Sequence, residues 1–106
     1  VFYSSIIELV SYCISVNKPL FGTCYGFQVL AIAAGGQVYR EQKPECGHIT
    51  INTTNKISSD HICHTLPSTF DVISIHRDFL LELPDTCDLL AYNDNCIQAI
   101  KIKNRF

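Results

Sequence analysis

The chain has 106 residues, of which 47% are hydrophobic and 17% are charged, so it is long enough for one hydrophobic core and too apolar for a disordered protein. Its formal net charge of −2 gives no basic surface of the kind that binds nucleic acid. No apolar run approaches the roughly 20 residues of a membrane-spanning helix, which argues against a membrane protein.

The first predicted element is an amphipathic helix. Ser5 and Glu8 have the spacing of a capping box, and Asn17-Lys18-Pro19 is a typical helix end. Between them, apolar residues recur on one helical face: Ile6, Leu9, Val10, Cys13 and Ile14. A helix is therefore expected here, followed by a strand.

The segment from Lys18 to Gly36 predicts a strand, a sharp turn and a second helix. The apolar run Pro19-Leu20-Phe21 is the expected strand, and Cys24 follows at the turn between Gly22 and Gly26. Apolar residues at helical spacing then continue to Gly35-Gly36: Phe27, Leu30, Ala31 and Ala34. Cys24 thus sits where a strand turns into a helix, at the carboxyl end of the strand.

That position favours a reactive thiol. The first free N–H groups of a helix favour thiolate over thiol, and the N–H of Tyr25 is placed to donate to an oxyanion formed when Cys24 attacks a carbonyl. Gln28, four residues on, lies near the same helix face and is a candidate hydrogen-bonding partner for a polar substrate. The alternative is a small, inert, buried cysteine at a tight turn.

The rest of the chain predicts short strands. A strand at 37–39 and a polar connection at 40–47 precede an alternating strand at 48–54, and residues 55–68 are expected to form a loop. A strand at 70–75 and a connection at 79–83 lead to a hairpin of strands 87–92 and 96–103 around Asn93-Asp94-Asn95. The alternation of helices and strands favours an open, mainly parallel sheet.

Several of these segments resemble one family. Gly22-Thr23-Cys24-Tyr25-Gly26-Phe27-Gln28 resembles a nucleophile elbow, Glu45-Cys46-Gly47-His48 an E-x-G stretch, and Ile75-His76-Arg77-Asp78 a segment that usually reads S-H-G-D. The hairpin resembles the one before the family's catalytic histidine. The family is that of the class I (triad) glutamine amidotransferases, including the glutaminase domain of GMP synthetase. It implies an α/β fold, flavodoxin-like, with an open mainly parallel sheet and flanking helices, here incomplete at both ends.

The resemblance also implies a reaction. Cys24 would attack the side-chain amide of glutamine and form a thioester with release of ammonia, with the Tyr25 N–H on the oxyanion. Substrate contacts would come from Gly26, Gln28, Ile75, His76, Arg77 and Asp78. The implied partners are glutamine and a synthetase domain or subunit that accepts ammonia, with no cofactor, metal, nucleic acid or membrane.

Two departures from the family pattern bear on activity. The family's G-x-Q-x-H-P-E motif, which supplies the triad histidine and glutamate, does not occur before Phe106, and no Gly-rich loop precedes Val1. Residues 1–106 are therefore expected to be one partial amidotransferase-like domain with impaired activity. Arg77 stands where the family has glycine, which leaves a backbone contact available and raises the prospect of a crowded pocket.

The histidines and cysteines allow other interpretations. His61, Cys63 and His64 with Cys46 and His48 have suitable zinc-binding atoms but not the usual ligand spacing. The six cysteines are irregularly spaced, and without a visible signal peptide we expect reduced thiols in the cytoplasm.

The sequence leaves undecided the roles of two residues, and it allows two alternative functions. His76 is interpreted as a structural histidine near the site rather than the general base, and Glu45 as either a salt-bridged surface acid or, by resemblance to the family, part of the site wall. The other functions are a non-catalytic binding or regulatory relative, and a different cysteine hydrolase that acts on γ-glutamyl compounds or peptides.

Overall fold

The computed structural model describes residues 2–103. In chain order the elements are α1 (Ser4–Ser15), α2 (Tyr25–Ala33), β1 (Val38–Thr53), a 3₁₀ helix (Asn55–Ser59), β2 (Thr69–Leu80), β3 (Cys87–Tyr92) and β4 (Ile97–Ile102). Within this range, neither helix has the length and apolar character needed to cross a membrane.

The four strands form one sheet in the order β2-β1-β3-β4. Strands β1 and β2 make a long antiparallel ribbon that runs from the pair Val38 and Leu80 to the pair Asn52 and Thr69. The β1–β3 and β3–β4 pairs are also antiparallel. The predicted α/β class is confirmed, but the sheet that residues 2–103 build is antiparallel rather than mainly parallel.

The physical reason lies in the connections. A short turn at residues 93–96 can join β3 to β4 only as an antiparallel hairpin, because parallel neighbours need a crossover of a dozen or more residues. Residues 19–21, the predicted central strand, are irregular and pair with no strand in the described part of the chain. The parallel character expected from that strand is therefore not present among these residues.

The β1–β2 ribbon has two different faces. Its inner face carries Glu45 and Ile51, which are buried. The outer face carries Cys46, which is paired with Ile75, and His48, which is paired with Ile73. Ile73 and Ile75 are each 72% exposed, so the outer face of the edge strand β2 has an uncovered aliphatic surface.

The core lies between α2 and the inner face of the sheet. Its most deeply buried side chains are Val29 on α2, Leu80 on β2 and Cys87 on β3. α1 packs on α2 and has no fully buried residue, so it is a peripheral layer. The core therefore fixes α2, and with it the turn that carries Cys24, against β2.

Three other local predictions were wrong. The N-cap of α1 is Tyr3, without a side-chain hydrogen bond, so Ser5 lies inside the helix and forms no capping box. The polar segment at 40–47 belongs to β1, although its pairing with β2 is interrupted between Arg40 and Glu45. Strand β2 likewise continues to Leu80, whereas the hairpin strands lie within one residue of their predicted bounds.

Candidate active site

Cys24 occupies a strained turn at the start of α2. It is the N-cap of that helix, it is exposed, and its φ of 54° is one of two positive values among the described residues other than glycine. The Cys24 carbonyl accepts the first helical hydrogen bond, from the Gln28 N–H at 3.1 Å. Positive φ is costly for a residue with a Cβ and occurs at nucleophile elbows, so the geometry presents the thiol outward at a helix N-terminus.

The two glycines around Cys24 differ in their surroundings. A Cβ on Gly22 would lie 2.7 Å from the backbone carbonyl carbon and oxygen of Gly26, which no real side chain tolerates. A Cβ on Gly26 would meet nothing within 4 Å. The tight approach across the turn therefore depends on Gly22, while Gly26 is not required by contacts within the described chain.

Tyr25 links the elbow to the beginning of the chain. Its hydroxyl accepts the Tyr3 N–H at 3.2 Å, and its ring stacks on Phe2 with centroids 5.4 Å apart. The Tyr25 N–H belongs to the first residue of α2, and the first N–H groups of a helix have no intrahelical acceptor. Tyr25 is thus held by its side chain in a position where its backbone can donate.

Gln28 joins α2 to the end of β2. Its side chain is buried, and its Nε2 donates to the Asp78 carbonyl oxygen at 3.2 Å. The side-chain amide that the sequence pattern assigned to the substrate is therefore anchored to the protein itself. This anchor fixes the distance between α2 and the Ile75–Asp78 segment.

A cavity of about 630 Å³ lies between the elbow and the sheet. Its lining includes five of the eight residues predicted for the site: Cys24, Gln28, Ile75, His76 and Asp78. Tyr25, Gly26 and Arg77 do not line it. The elbow and the end of β2, which are far apart in sequence, therefore open onto one space.

Arg77 does not crowd this cavity. It lies on the exposed side of β2, and its Nη1 donates to the Gln42 carbonyl oxygen of β1 at 3.2 Å. Arg77 is also not among the residues with positive φ. An arginine is accommodated at this position because the backbone here does not need the freedom of glycine.

Glu45 is the most heavily hydrogen-bonded side chain of the site. It is 5% exposed, so it is not the surface acid that the sequence left open, and it lies behind the cavity lining rather than in it. Five side chains donate to its carboxylate: His76 at 2.7 Å, Asn93 at 2.6 Å, Asn95 at 2.9 Å, Gln98 at 3.0 Å and Ser74 at 3.4 Å. The carboxylate therefore ties β1 to β2 and to the β3–β4 hairpin.

These donors control the charge of Glu45. Burial alone raises the pKa of the carboxyl, but hydrogen bonds from Asn95, Asn93, His76 and Gln98 outweigh burial and lower it from 4.5 to about 2. Its negative charge in turn adds to the effect of burial on the neighbouring Cys96, whose pKa is raised to about 12. Glu45 is thus a buried carboxylate, and Cys96 beside it is an unreactive thiol.

His76 is bound on both sides of its ring. Nε2 contacts the Glu45 carboxylate, and Nδ1 lies 3.0 Å from the Asp78 carbonyl oxygen. The ring also packs on Phe79 with centroids 4.6 Å apart. Since neither ring nitrogen is available to accept a proton from Cys24, the geometry agrees with the structural role predicted for His76.

The zinc interpretation of the histidine and cysteine residues finds no geometric support. His64 uses its Nδ1 on the Asp60 carbonyl oxygen at 3.1 Å, and His48 lies on the outer face of the ribbon. Within residues 2–103, the group whose metal-binding atoms come within 4.8 Å of one another is Glu45, His76 and Cys96. In that group the Glu45 carboxylate already accepts hydrogen bonds from the side-chain amides of Asn93, Asn95 and Gln98.

Sequence reasoning missed how the site is supported. Asn93, Asn95 and Gln98 were assigned to a hairpin without a function, yet all three donate to Glu45. A usable signal was present, because three carboxamide side chains within six residues are an unusual concentration of paired donors for a surface hairpin. Their common acceptor lies about 50 residues away and is not visible in the local pattern.

Comparison with known proteins identifies related sequences. The family model described as "Glutamine amidotransferase class-I" matches residues 3–106. A gamma-glutamyl-L-1-hydroxyisopropylamide hydrolase from a Pseudomonas species is 34% identical over 92% of this chain and 35% of its own length. A glutamine-hydrolysing GMP synthase subunit from Picrophilus torridus is 32% identical over 96% of this chain and 53% of its own length.

The same relationship appears among solved structures. A crystal structure described as that of a GMP synthase subunit, from Thermoplasma acidophilum, superposes with a TM-score of 0.80 and 30% identity. The match covers 95% of this chain and 50% of that protein. The chain therefore spans between about one third and one half of the length of these relatives.

Proposed function

Because this chain belongs to the class I glutamine amidotransferase family, we propose that its site hydrolyses the side-chain amide of glutamine with Cys24 as the nucleophile. The observation that carries the proposal is the geometry of Cys24, an exposed helix N-cap with a φ of 54° that opens onto a cavity of about 630 Å³. A strained nucleophile on a helix N-terminus beside a cavity is the arrangement that acyl transfer needs.

The proposed reaction proceeds in two steps. The Cys24 thiolate forms an S–C bond to the side-chain carbonyl carbon, and the carbonyl electron pair moves to the oxygen, on which the Tyr25 N–H donates. The C–N bond then breaks, and nitrogen leaves as ammonia after it gains a proton. Water attacks the thioester in the second step, so glutamate leaves and the thiolate returns.

The general base is not assigned to any residue that the structure describes. His76 has acceptors on both ring nitrogens, so it does not take that role. By resemblance to the family, the base would be a histidine with a glutamate partner in a G-x-Q-x-H-P-E motif, which residues 2–103 do not contain.

The proposed partner follows from the product. Ammonia released from glutamine needs an acceptor, and one relative is named as a subunit of GMP synthase. We therefore assign the role of ammonia acceptor to a synthetase domain or subunit. A reduced, cytoplasmic setting agrees with a cysteine nucleophile.

The test compares two exposed cysteines in the protein at its natural length. Cys24→Ala is expected to lower glutamine hydrolysis by a factor on the order of 10⁴ or more, because the nucleophile is lost. Cys46→Ala is the matched control, since Cys46 is also an exposed free thiol but lies on the outer face of the ribbon. Equal activity in both variants would contradict the proposal, and so would failure of a glutamine-derived chloroketone to label Cys24.

Hydrolysis of other γ-glutamyl amides is the second candidate. It is favoured by the relative named as a gamma-glutamyl-L-1-hydroxyisopropylamide hydrolase, which shares 34% identity with this chain. The bond attacked would be the same, and only the leaving amine would differ. Turnover of γ-glutamyl alkylamides in preference to glutamine, with both lost in Cys24→Ala, would select this candidate.

A non-catalytic relative is the third outcome of the same experiment. If neither glutamine nor γ-glutamyl alkylamides turn over, and Cys24 reacts with a simple alkylating agent no faster than Cys46, the thiol is not activated. A role in binding or regulation would then replace both catalytic candidates.

A further inference from the structure

We propose that Glu45 is a positioning residue that holds His76 as an imidazolium and, through His76, fixes the carbonyl group that anchors Gln28 behind Cys24. The chain of contacts starts at a buried carboxylate on β1 and ends on α2, four residues after the nucleophile. The effect on substrate rests on the proposed function, whereas the state of His76 does not.

The first step is the count of protons on His76. Nε2 faces the Glu45 carboxylate at 2.7 Å, and Nδ1 faces the Asp78 carbonyl oxygen at 3.0 Å. A carboxylate and a carbonyl oxygen accept hydrogen bonds and do not donate them. A neutral imidazole has one N–H and would leave one of these contacts without a proton, so the ring satisfies both only with a proton on each nitrogen.

The second step is the charge that this state requires. The Glu45 side chain is 2% exposed and that of His76 is 17% exposed, so an unpaired charge on either would be costly. The pair is neutral when Glu45 is a carboxylate and His76 an imidazolium. The remaining lone pairs of Glu45 accept from Asn93, Asn95 and Gln98, which meets the condition for a favourable buried pair.

The third step links the pair to the site. The Asp78 carbonyl oxygen accepts from both His76 and the Gln28 side chain, as its two lone pairs allow. Asp78 is also held from outside by Arg40, with Nε 3.3 Å from a carboxylate oxygen. The orientation of this carbonyl therefore determines where the Gln28 amide lies along the cavity wall.

A metal site built from the same residues is the weaker interpretation. Glu45, His76 and Cys96 have ligating atoms within 4.8 Å of one another, but the carboxylate already accepts five side-chain donors. A cation there would face the N–H groups of Asn93, Asn95 and Gln98, which repel it. The donors around Glu45 are those of an anion site in which the anion is the protein's own side chain.

The first measurement is the nitrogen NMR spectrum of the His76 ring in the protein at its natural length, near neutral pH. Contacts between the His76 and Phe79 ring protons identify the signal, since the two rings are 4.6 Å apart. Two protonated ring nitrogens are expected in the wild type and in Glu41→Gln, a matched control at an exposed acid of the same strand. One unprotonated nitrogen in the wild type would overturn the proposal, and this result needs neither activity nor a variant.

The second measurement is the kinetics of Glu45→Gln and Glu45→Asp with glutamine. Loss of the charge frees His76 and the Asp78 carbonyl, so Glu45→Gln is expected to raise KM about tenfold with a smaller change in kcat, because Gln28, which lines the cavity, no longer has a fixed position. Glu45→Asp keeps the charge and is expected to recover part of the loss. If Glu45→Gln does not fold, the kinetics of Glu45→Asp still test the link to Gln28, and the wild-type NMR spectrum still tests the charge of His76.

The outcomes separate the two proposals. An unchanged KM in Glu45→Gln, or a fall in kcat alone, would overturn the link to Gln28. A wild type that hydrolyses no γ-glutamyl amide would overturn the proposed function, while the ring nitrogens of His76 would still support or refute the ion pair.

Discussion

Glu45 shows how much one side chain can depend on distant partners. An isolated buried carboxyl would become neutral, because burial raises its pKa. Here the carboxylate is kept by donors from β2 and from the β3–β4 hairpin, and its pKa falls to about 2. Its charge is thus a property of the assembled site.

The lowered pKa of Glu45 predicts a contribution to the stability of the folded state that is lost in acid. A pKa lowered from 4.5 to about 2 means that the folded state favours the carboxylate, so the stabilisation is complete above about pH 5 and is lost as pH falls toward 2. A shift of this size corresponds to about 3 kcal/mol in the free energy of unfolding. Denaturant titrations of the natural-length protein across that pH range, in the wild type and in Glu45→Gln, measure it.

Two variants separate the contribution of Glu45 to this pH dependence from the contributions of other acids. Glu45→Gln is expected to be less stable near neutral pH and to lose this part of the pH dependence, because its three carboxamide donors no longer meet a carboxylate. Glu41→Gln, which changes an exposed acid, is expected to retain it. A pH dependence in Glu45→Gln equal to that of the wild type would show that other groups are responsible.

At the scale of elements, the turn that carries Cys24 leads to different predicted stabilities for substitutions at its two glycines. Gly22→Ala is expected to destabilise the protein by about 2 kcal/mol or more, because its Cβ would lie 2.7 Å from the Gly26 backbone and the turn must open. Gly26→Ala is the matched control, since its Cβ meets nothing within 4 Å and alanine favours a helix by about 0.5–1 kcal/mol. Midpoints of thermal unfolding measure both.

The opposite order of stability would contradict the packing argument. A second readout follows from the position of Cys24 between the two glycines. Opening of the turn in Gly22→Ala should change the alkylation rate of Cys24, whereas that of Cys46 should stay the same because Cys46 lies on the outer face of β1.

Local patterns predicted the elements whose signals are local. The hairpin was correct because Asn93 accepts from the N–H groups of Asn95 and Cys96, a turn that its side chain favours wherever it occurs. The turn into α2 was correct because glycine positions and helical periodicity define it within a few residues. The residues that line the cavity from β2 were predicted only through the family resemblance.

The failures come from tertiary context. Ser5 has the spacing of a cap, but the N-cap of α1 is Tyr3, two residues earlier, and no side-chain bond forms. Residues 40–44 are polar because the strand there is exposed, so the alternation that marks a half-buried strand is absent from them. The partners of Glu45 lie 29 to 53 residues away, and no local pattern encodes them.

At the scale of the whole molecule, the proposed reaction needs more groups than the described residues supply. These residues carry the proposed nucleophile, one proposed oxyanion donor and the contacts that anchor Gln28. We expect the 106 residues alone to hydrolyse glutamine at least 10²-fold more slowly than the natural-length protein, since loss of one oxyanion donor alone typically costs about 10² to 10³ in rate.

An ammonia-release assay on equal molar amounts of both proteins tests this expectation, with Cys24→Ala as the background in each. Turnover by the 106 residues that approaches the natural-length rate and disappears in Cys24→Ala would show that the chain holds a complete catalytic apparatus.

The exposed outer face of β2 has a consequence for colloidal behaviour. In the part of the chain that the structure describes, β2 is an edge strand with one neighbour, and Ile73 and Ile75 are each 72% exposed on it. Edge strands with uncovered aliphatic side chains are templates for intermolecular β-pairing and aggregation. Both isoleucines also line the cavity, and the charged residues Asp71 and Arg77 flank them on the strand, so we expect association through this surface to increase when salt screens those charges.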